Sequence, residues 1–104
     1  MNIQEKKLEA LLKKATIYKS MKNVTVYMGP MCAFCDAAKK LLVRNNISYK
    51  EINIALEEGK MDEMLNKSNG KKTIPQIFFD DLHVGGYEEL RALEKSGELK
   101  DLIK

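Results

Sequence analysis

The chain's two cysteines stand three residues apart, in Met31-Cys32-Ala33-Phe34-Cys35, where an apolar strand runs directly into a helix. Val24, Val26 and Tyr27 give the strand signal. Ala37, Ala38, Leu41, Leu42 and Val43 give the three-and-four spacing of an amphipathic helix. Cys32 thus falls at a helix start, where unpaired backbone N–H groups and the helix dipole favour an anion. Thiolate is the reactive form of cysteine, and thiols in such motifs have pKa values lowered to roughly 3.5–7.5. Cys35 lies one turn further along the same face, close enough to close a disulfide with Cys32. The pair reads as a redox couple. A tetrahedral zinc site would need four ligands, and His83 is the single histidine of the chain. One chain therefore cannot build an ordinary structural zinc site; inert thiols or a metal shared between chains remain the alternatives.

A chain of 104 residues fits one domain with a modest core. Its 44% hydrophobic and 32% charged residues are ordinary for a soluble protein. No apolar run approaches the ~20 residues that span a bilayer, and the N-terminus lacks a secretory pattern. Two cysteines do not form a disulfide scaffold, so a reducing, cytoplasmic setting is expected. The net charge of +3 is uneven: residues 1–22 carry six lysines against two glutamates, whereas residues 23–104 carry twelve basic against thirteen acidic groups. The basic character belongs to the leading segment. No cluster of cations with aromatic platforms suggests nucleic-acid binding.

Residues 1–22 read as an amphipathic helical extension, with Ile3, Leu8, Leu11, Leu12, Ala15 and Tyr18 on one face, and residues 23–104 as the domain. Within the domain, strands are expected at about 23–28 and 48–54 and helices at about 33–45 and 56–68. Asn69-Gly70 ends the second helix. Gln76–Phe79 and Leu82–Val84 form a hairpin about Asp80-Asp81. A helix over 87–95 and a last turn over 99–103 follow. A βαβ unit, a hairpin and a helix imply a small mixed sheet with helices on its faces.

Two further segments support the couple. In Thr73-Ile74-Pro75 the proline stands at a strand entrance, where its missing N–H costs nothing. A cis bond there would expose flanking backbone groups to an extended, peptide-like ligand; a trans proline at a strand edge is the alternative. Gly85-Gly86-Tyr87-Glu88-Glu89 joins a strand to a helix start, where bare glycines allow close approach and the N-terminus can hold a carboxylate. Glu89 reads as a partner for the helix dipole.

Strand, Cys-x-x-Cys, helix, then Thr73-Ile74-Pro75-Gln76-Ile77-Phe78, then His83-Val84-Gly85-Gly86 followed by acid-acid-Leu, together closely resemble glutaredoxin over about residues 22–104. The resemblance implies an α/β thioredoxin fold: a four-stranded mixed sheet of order 2-1-3-4 flanked by helices. It also implies a dithiol oxidoreductase that uses glutathione, with Cys32 as nucleophile and Cys35 as resolving thiol. Ile74 would pair its backbone with the cysteinyl part of glutathione, beside Thr73 and Pro75. Gly86, the Tyr87 N–H and Glu88 would hold the γ-glutamyl end. Phe34 stands in place of the family's usual tyrosine, and Lys71 where a basic residue often faces the glycyl carboxylate. Glutathione and disulfide-containing or glutathionylated proteins are the implied partners of a monomer, with no resident metal, nucleic acid or membrane.

The chain departs from the family pattern at several places. Ala33 replaces a proline after the first cysteine, and Gly29 a lysine three residues before it. Tyr87 replaces a smaller residue and Glu88 a shorter acid. The monothiol branch has serine at the position of Cys35, and thioredoxin has tryptophan before its first cysteine, a residue this chain lacks. Two rivals keep the fold: a glutaredoxin-like donor recycled by a flavoenzyme, and a module binding a [2Fe–2S] cluster between two Cys32 residues and two glutathiones.

Overall fold

The computed structural model describes residues 23–103, so the helix expected over residues 3–19 and the leading segment 1–22 lie outside the described residues. Four strands, β1 (Val24–Met28), β2 (Lys50–Asn53), β3 (Gln76–Phe79) and β4 (Leu82–Gly85), form one sheet of order β2-β1-β3-β4. β1 runs parallel to β2, while β1–β3 and β3–β4 are antiparallel. The helices are α1 (Ala33–Arg44), α2 (Lys60–Lys67), α3 (Tyr87–Ser96) and α4 (Glu98–Ile103).

Strand alternation divides the core between the two faces of the sheet. Val24 and Val26 of β1 and Ile77 and Phe79 of β3 join Ala38, Leu41, Leu42, Leu90 and Leu99 in the larger cluster, beneath α1, α3 and α4. Tyr27, Ile52 and Phe78 point the other way and pack on Met64 of α2. Each fully buried leucine of the larger cluster contributes roughly 1.5–3 kcal/mol of transfer free energy. Tyr27 is buried, and its hydroxyl donates to the Glu63 carboxylate; burial first, and that carboxylate second, push its pKa upward. Lys67 places its ammonium 5.0 Å from the Phe78 ring centre, a cation–π contact closing this smaller layer.

The expected elements are present, with one boundary corrected. The helix expected from residue 56 begins at Lys60. The residues before it form isolated turns: the Asn53 carbonyl accepts from the Leu56 and Glu57 N–H groups at 3.2 and 3.0 Å, Asn53 Oδ1 accepts from the Ala55 N–H at 2.9 Å, a Glu57 carboxylate oxygen accepts from the Asn53 N–H at 3.1 Å, and Gly59, at φ +79°, interrupts the helical run. Asn and Asp side chains compete with helical bonding in this way. The helix ends as expected, with Asn69 and Gly70 both in the left-handed region.

Candidate active site

The parallel pair β1–β2 directs the C-terminal end of β1 into the Gly29–Met31 loop, and Cys32 is the N-cap of α1. Its sulfur takes the place of the usual capping oxygen: Cys32 Sγ accepts from the Cys35 N–H at 3.1 Å. Cys32 is part-buried, whereas Cys35 is 1% exposed beneath the first turn. The two are joined as a disulfide with Cα atoms 5.2 Å apart. Ala33, at the first helical position, keeps an N–H that a proline would remove. The Cys32 sulfur therefore sits where backbone dipoles favour an anion, and Cys35 is shielded behind it.

Three sequence segments meet around this sulfur. The Ile74 carbonyl lies 3.8 Å from Cys32 Sγ. In the disulfide that sulfur has no proton to donate, so this is a contact that only the reduced thiol can turn into a hydrogen bond. The Ile74–Pro75 bond is cis. Gly86 lies against the Pro75 carbonyl, since a Cβ there would stand 3.4 Å from that oxygen. Phe34, between the cysteines, stacks on Tyr87 with ring centres 5.9 Å apart and an angle of 22°. Each segment thus touches the other two.

The start of α3 is built by Glu89. Its carboxylate accepts from the Gly86 N–H at 2.8 Å, as the acid of a capping box does. Gly85 has φ +117°, a conformation that favours glycine, and a Cβ there would stand 3.0 Å from the Glu89 side chain. The Gly86 N–H is thereby engaged within the protein. Among the described residues, the N–H groups of Tyr87 and Glu88 have no acceptor, as is usual in the first turn of a helix.

A cavity of about 300 Å³ is lined by Lys71, Thr73, Gln76, His83, Gly86 and Glu89 among others. It brings together Lys71, Thr73 and Gly86 from the expected set. Gln76 and His83 were not singled out as site residues in the sequence. Gln76 is 3% exposed; its amide donates to the Thr73 carbonyl at 3.0 Å and hydroxyl at 3.1 Å, while its oxygen lies 2.6 Å from His83 Nε2. The His83 ring also stacks on Phe78 at 4.7 Å. This chain of bonds holds the Thr73–Pro75 loop from behind. A buried polar residue in a strand of otherwise apolar side chains was the one signal for it. Burial first, then the Lys71 charge, lower the His83 pKa.

The absent lysine at Gly29 has a structural counterpart. Gly29 is buried, and a Cβ there would come within 2.9 Å of the Ile74 side-chain tip. The space beside the loop is filled by isoleucine. No helix among the described residues is long and apolar enough to cross a membrane, and no group of three or more His, Cys, Asp or Glu among them could hold a metal ion.

Comparison with known proteins agrees with this geometry. The glutaredoxin family model matches residues 24–84. Glutaredoxin 1 of Rickettsia prowazekii (strain Madrid E) is 40% identical over 83 residues, covering 79% of this chain and 87% of that protein. Glutaredoxin 3 of Escherichia coli (strain K12) is 40% identical over 84 residues, covering 81% of this chain and 100% of its own length. Among solved structures, the glutaredoxin from Brucella melitensis superposes with a TM-score of 0.69 at 40% identity, over 79% of this chain and 88% of that one. The buckwheat glutaredoxin–glutathione complex shares the fold, with a TM-score of 0.70 at 24% identity over 95% of this chain and 92% of that one.

Proposed function

Because the chain belongs to the glutaredoxin family and carries a Cys-x-x-Cys pair, it is a thiol–disulfide oxidoreductase, and we propose that glutathione is its reductant. The observation that carries this reading is the meeting of three segments: the Cys32 helix start, the Ile74 carbonyl 3.8 Å from its sulfur, and the α3 start with two N–H donors that have no acceptor among the described residues. A tripeptide thiol has matching parts. Its cysteinyl backbone suits an exposed loop backbone at Thr73, Ile74 and Pro75. Its γ-glutamyl carboxylate suits the N–H groups of Tyr87 and Glu88 beside Gly86, and its glycyl carboxylate suits Lys71. Phe34 borders the redox turn.

In this reading the Cys32 thiolate attacks the sulfur of a glutathionylated cysteine. The Cys32–glutathione disulfide forms, and the substrate thiolate leaves with its reduced sulfur. A second glutathione thiolate then attacks that disulfide, freeing Cys32 and releasing glutathione disulfide. With a protein disulfide, Cys32 forms the mixed disulfide and the Cys35 thiolate displaces the substrate, leaving the Cys32–Cys35 bond. Two glutathiones restore the dithiol. Both routes are exchanges, whose rates depend on thiolate fraction and intrinsic nucleophilicity together. The protein acts as a monomer in the cytoplasm on glutathionylated or disulfide-bonded proteins. The test is whether glutathione with its reductase recycles the oxidised protein. Recycling supports the reading; recycling only by a flavoenzyme without glutathione overturns it.

A further inference from the structure

The Phe34–Tyr87 stack does something the exchange chemistry alone does not require. Phe34 is 58% exposed, and on an isolated helix its ring would lie in water. It stacks instead on Tyr87, the first residue of α3, whose own side chain is half-buried against the larger core. Phe34 lies between the two cysteines, and Tyr87 supplies one of the two N–H groups at the α3 start that have no acceptor among the described residues. At their far ends α1 and α3 are tied by Arg44 and Asn45 on Glu94. At the near end the stack is the corresponding tie.

We propose that Phe34 and Tyr87 form a positioning pair that fixes the distance between the Cys32 sulfur and the carboxylate-binding start of α3, and so selects glutathione over thiols that lack a γ-glutamyl end. This rests on the glutathione reading above. A ligand that bridges both points is held well only if their spacing persists when the S–S bond is reduced. Neither ring need touch the reacting sulfur. Both residues depart from the family pattern named above.

The experiment uses the full chain carrying Cys35→Ser, so that the mixed disulfide on Cys32 accumulates. Cys32 thiolate attacks a small disulfide, the Cys32 mixed disulfide forms and one thiol leaves; the equilibrium constant is read by intact mass in redox buffers. One buffer is glutathione with its disulfide, the other 2-mercaptoethanol with its disulfide. Tyr87→Leu and Phe34→Leu should each lower the glutathione constant about 2- to 10-fold, the range of aromatic pair energies, and leave the mercaptoethanol constant unchanged. The double variant should lose no more than the worse single one, and Tyr87→Phe should restore the glutathione constant. An unchanged glutathione constant, an equal fall in both buffers, or multiplying single effects would overturn the proposal. Should Tyr87→Leu not fold, the exposed Phe34→Leu carries the same test. If the parent protein shows no preference for glutathione over mercaptoethanol, the glutathione reading itself fails, which is a distinct result.

Discussion

Glu94 on α3 accepts from both Nε and Nη2 of Arg44, the last residue of the helix that begins at the cysteines, at 2.9 and 2.8 Å. Asn45 and Arg91 donate to the same carboxylate at 2.7 and 3.0 Å. Hydrogen bonding from Arg44 first, and from Asn45 second, pulls the Glu94 pKa down to about 2 from 4.5. The unfolded chain binds a proton at Glu94 more readily than the folded one. Its stabilisation is therefore complete above about pH 4.5 and is lost as the pH falls toward about 2. Thermal unfolding of Glu94→Gln should start from a lower melting temperature at pH 7 and fall less steeply through that window. Parallel curves would show that the bonds contribute nothing.

His83 works in a higher window. Its pKa is lowered from 6.5, chiefly by burial beside Gln76 and Phe78 and then by Lys71. The unfolded state again binds more protons, so stability is full above pH 6.5 and declines as the pH drops through the lower folded value. Replacing His83 by Asn should flatten the pH dependence of the melting temperature just below pH 6.5. A slope equal to that of the parent protein would remove His83 from the account.

The placement of the candidate site was legible in the sequence wherever it rests on residue type and spacing. Cys32 and Cys35 needed only the change of period from strand to helix, and Pro75 and Gly86 only their backbone properties. What depends on contacts between distant segments was not. Gln76 could be placed in a strand, but its bond to His83 requires the β3–β4 register and the irregularity between Ile77 and Phe78. The occupation of the Gly86 N–H depends on how the Glu89 side chain folds back. The Phe34–Tyr87 stack spans 53 residues of chain and joins two helices. The α2 start at Lys60 was misplaced because Leu56, 80% exposed, fits a helical spacing that Asn53 and Glu57 overrule locally.

The two thiols are expected to separate by substrate. Cys35→Ser should keep transfer from glutathionylated peptides within a few-fold of the parent and lose most reduction of protein disulfides, because only the latter requires a resolving thiol. Rates measured side by side on both substrates check this. An equal loss of both would contradict direct transfer through Cys32.

Residues 1–22 hold none of the proposed site residues. A chain shortened to begin at Met21 should therefore retain glutathione-coupled turnover. If the apolar face of Ile3, Leu8, Leu11 and Leu12 covers part of the domain, its removal should lower stability by about 1–2 kcal/mol and the melting temperature by several degrees. An unchanged melting temperature would mean the segment covers nothing. Lost turnover in a folded protein would place it in the substrate groove.

The most direct test is turnover of a glutathionylated peptide in the presence of glutathione and its reductase, comparing the parent protein with Cys32→Ser. The sulfur capped by the Cys35 N–H is the attacking group in this account. The parent should turn over many equivalents, and Cys32→Ser should fall to the uncatalysed rate while keeping its fold. Turnover that survives in Cys32→Ser, or a parent protein that glutathione cannot recycle, would contradict it.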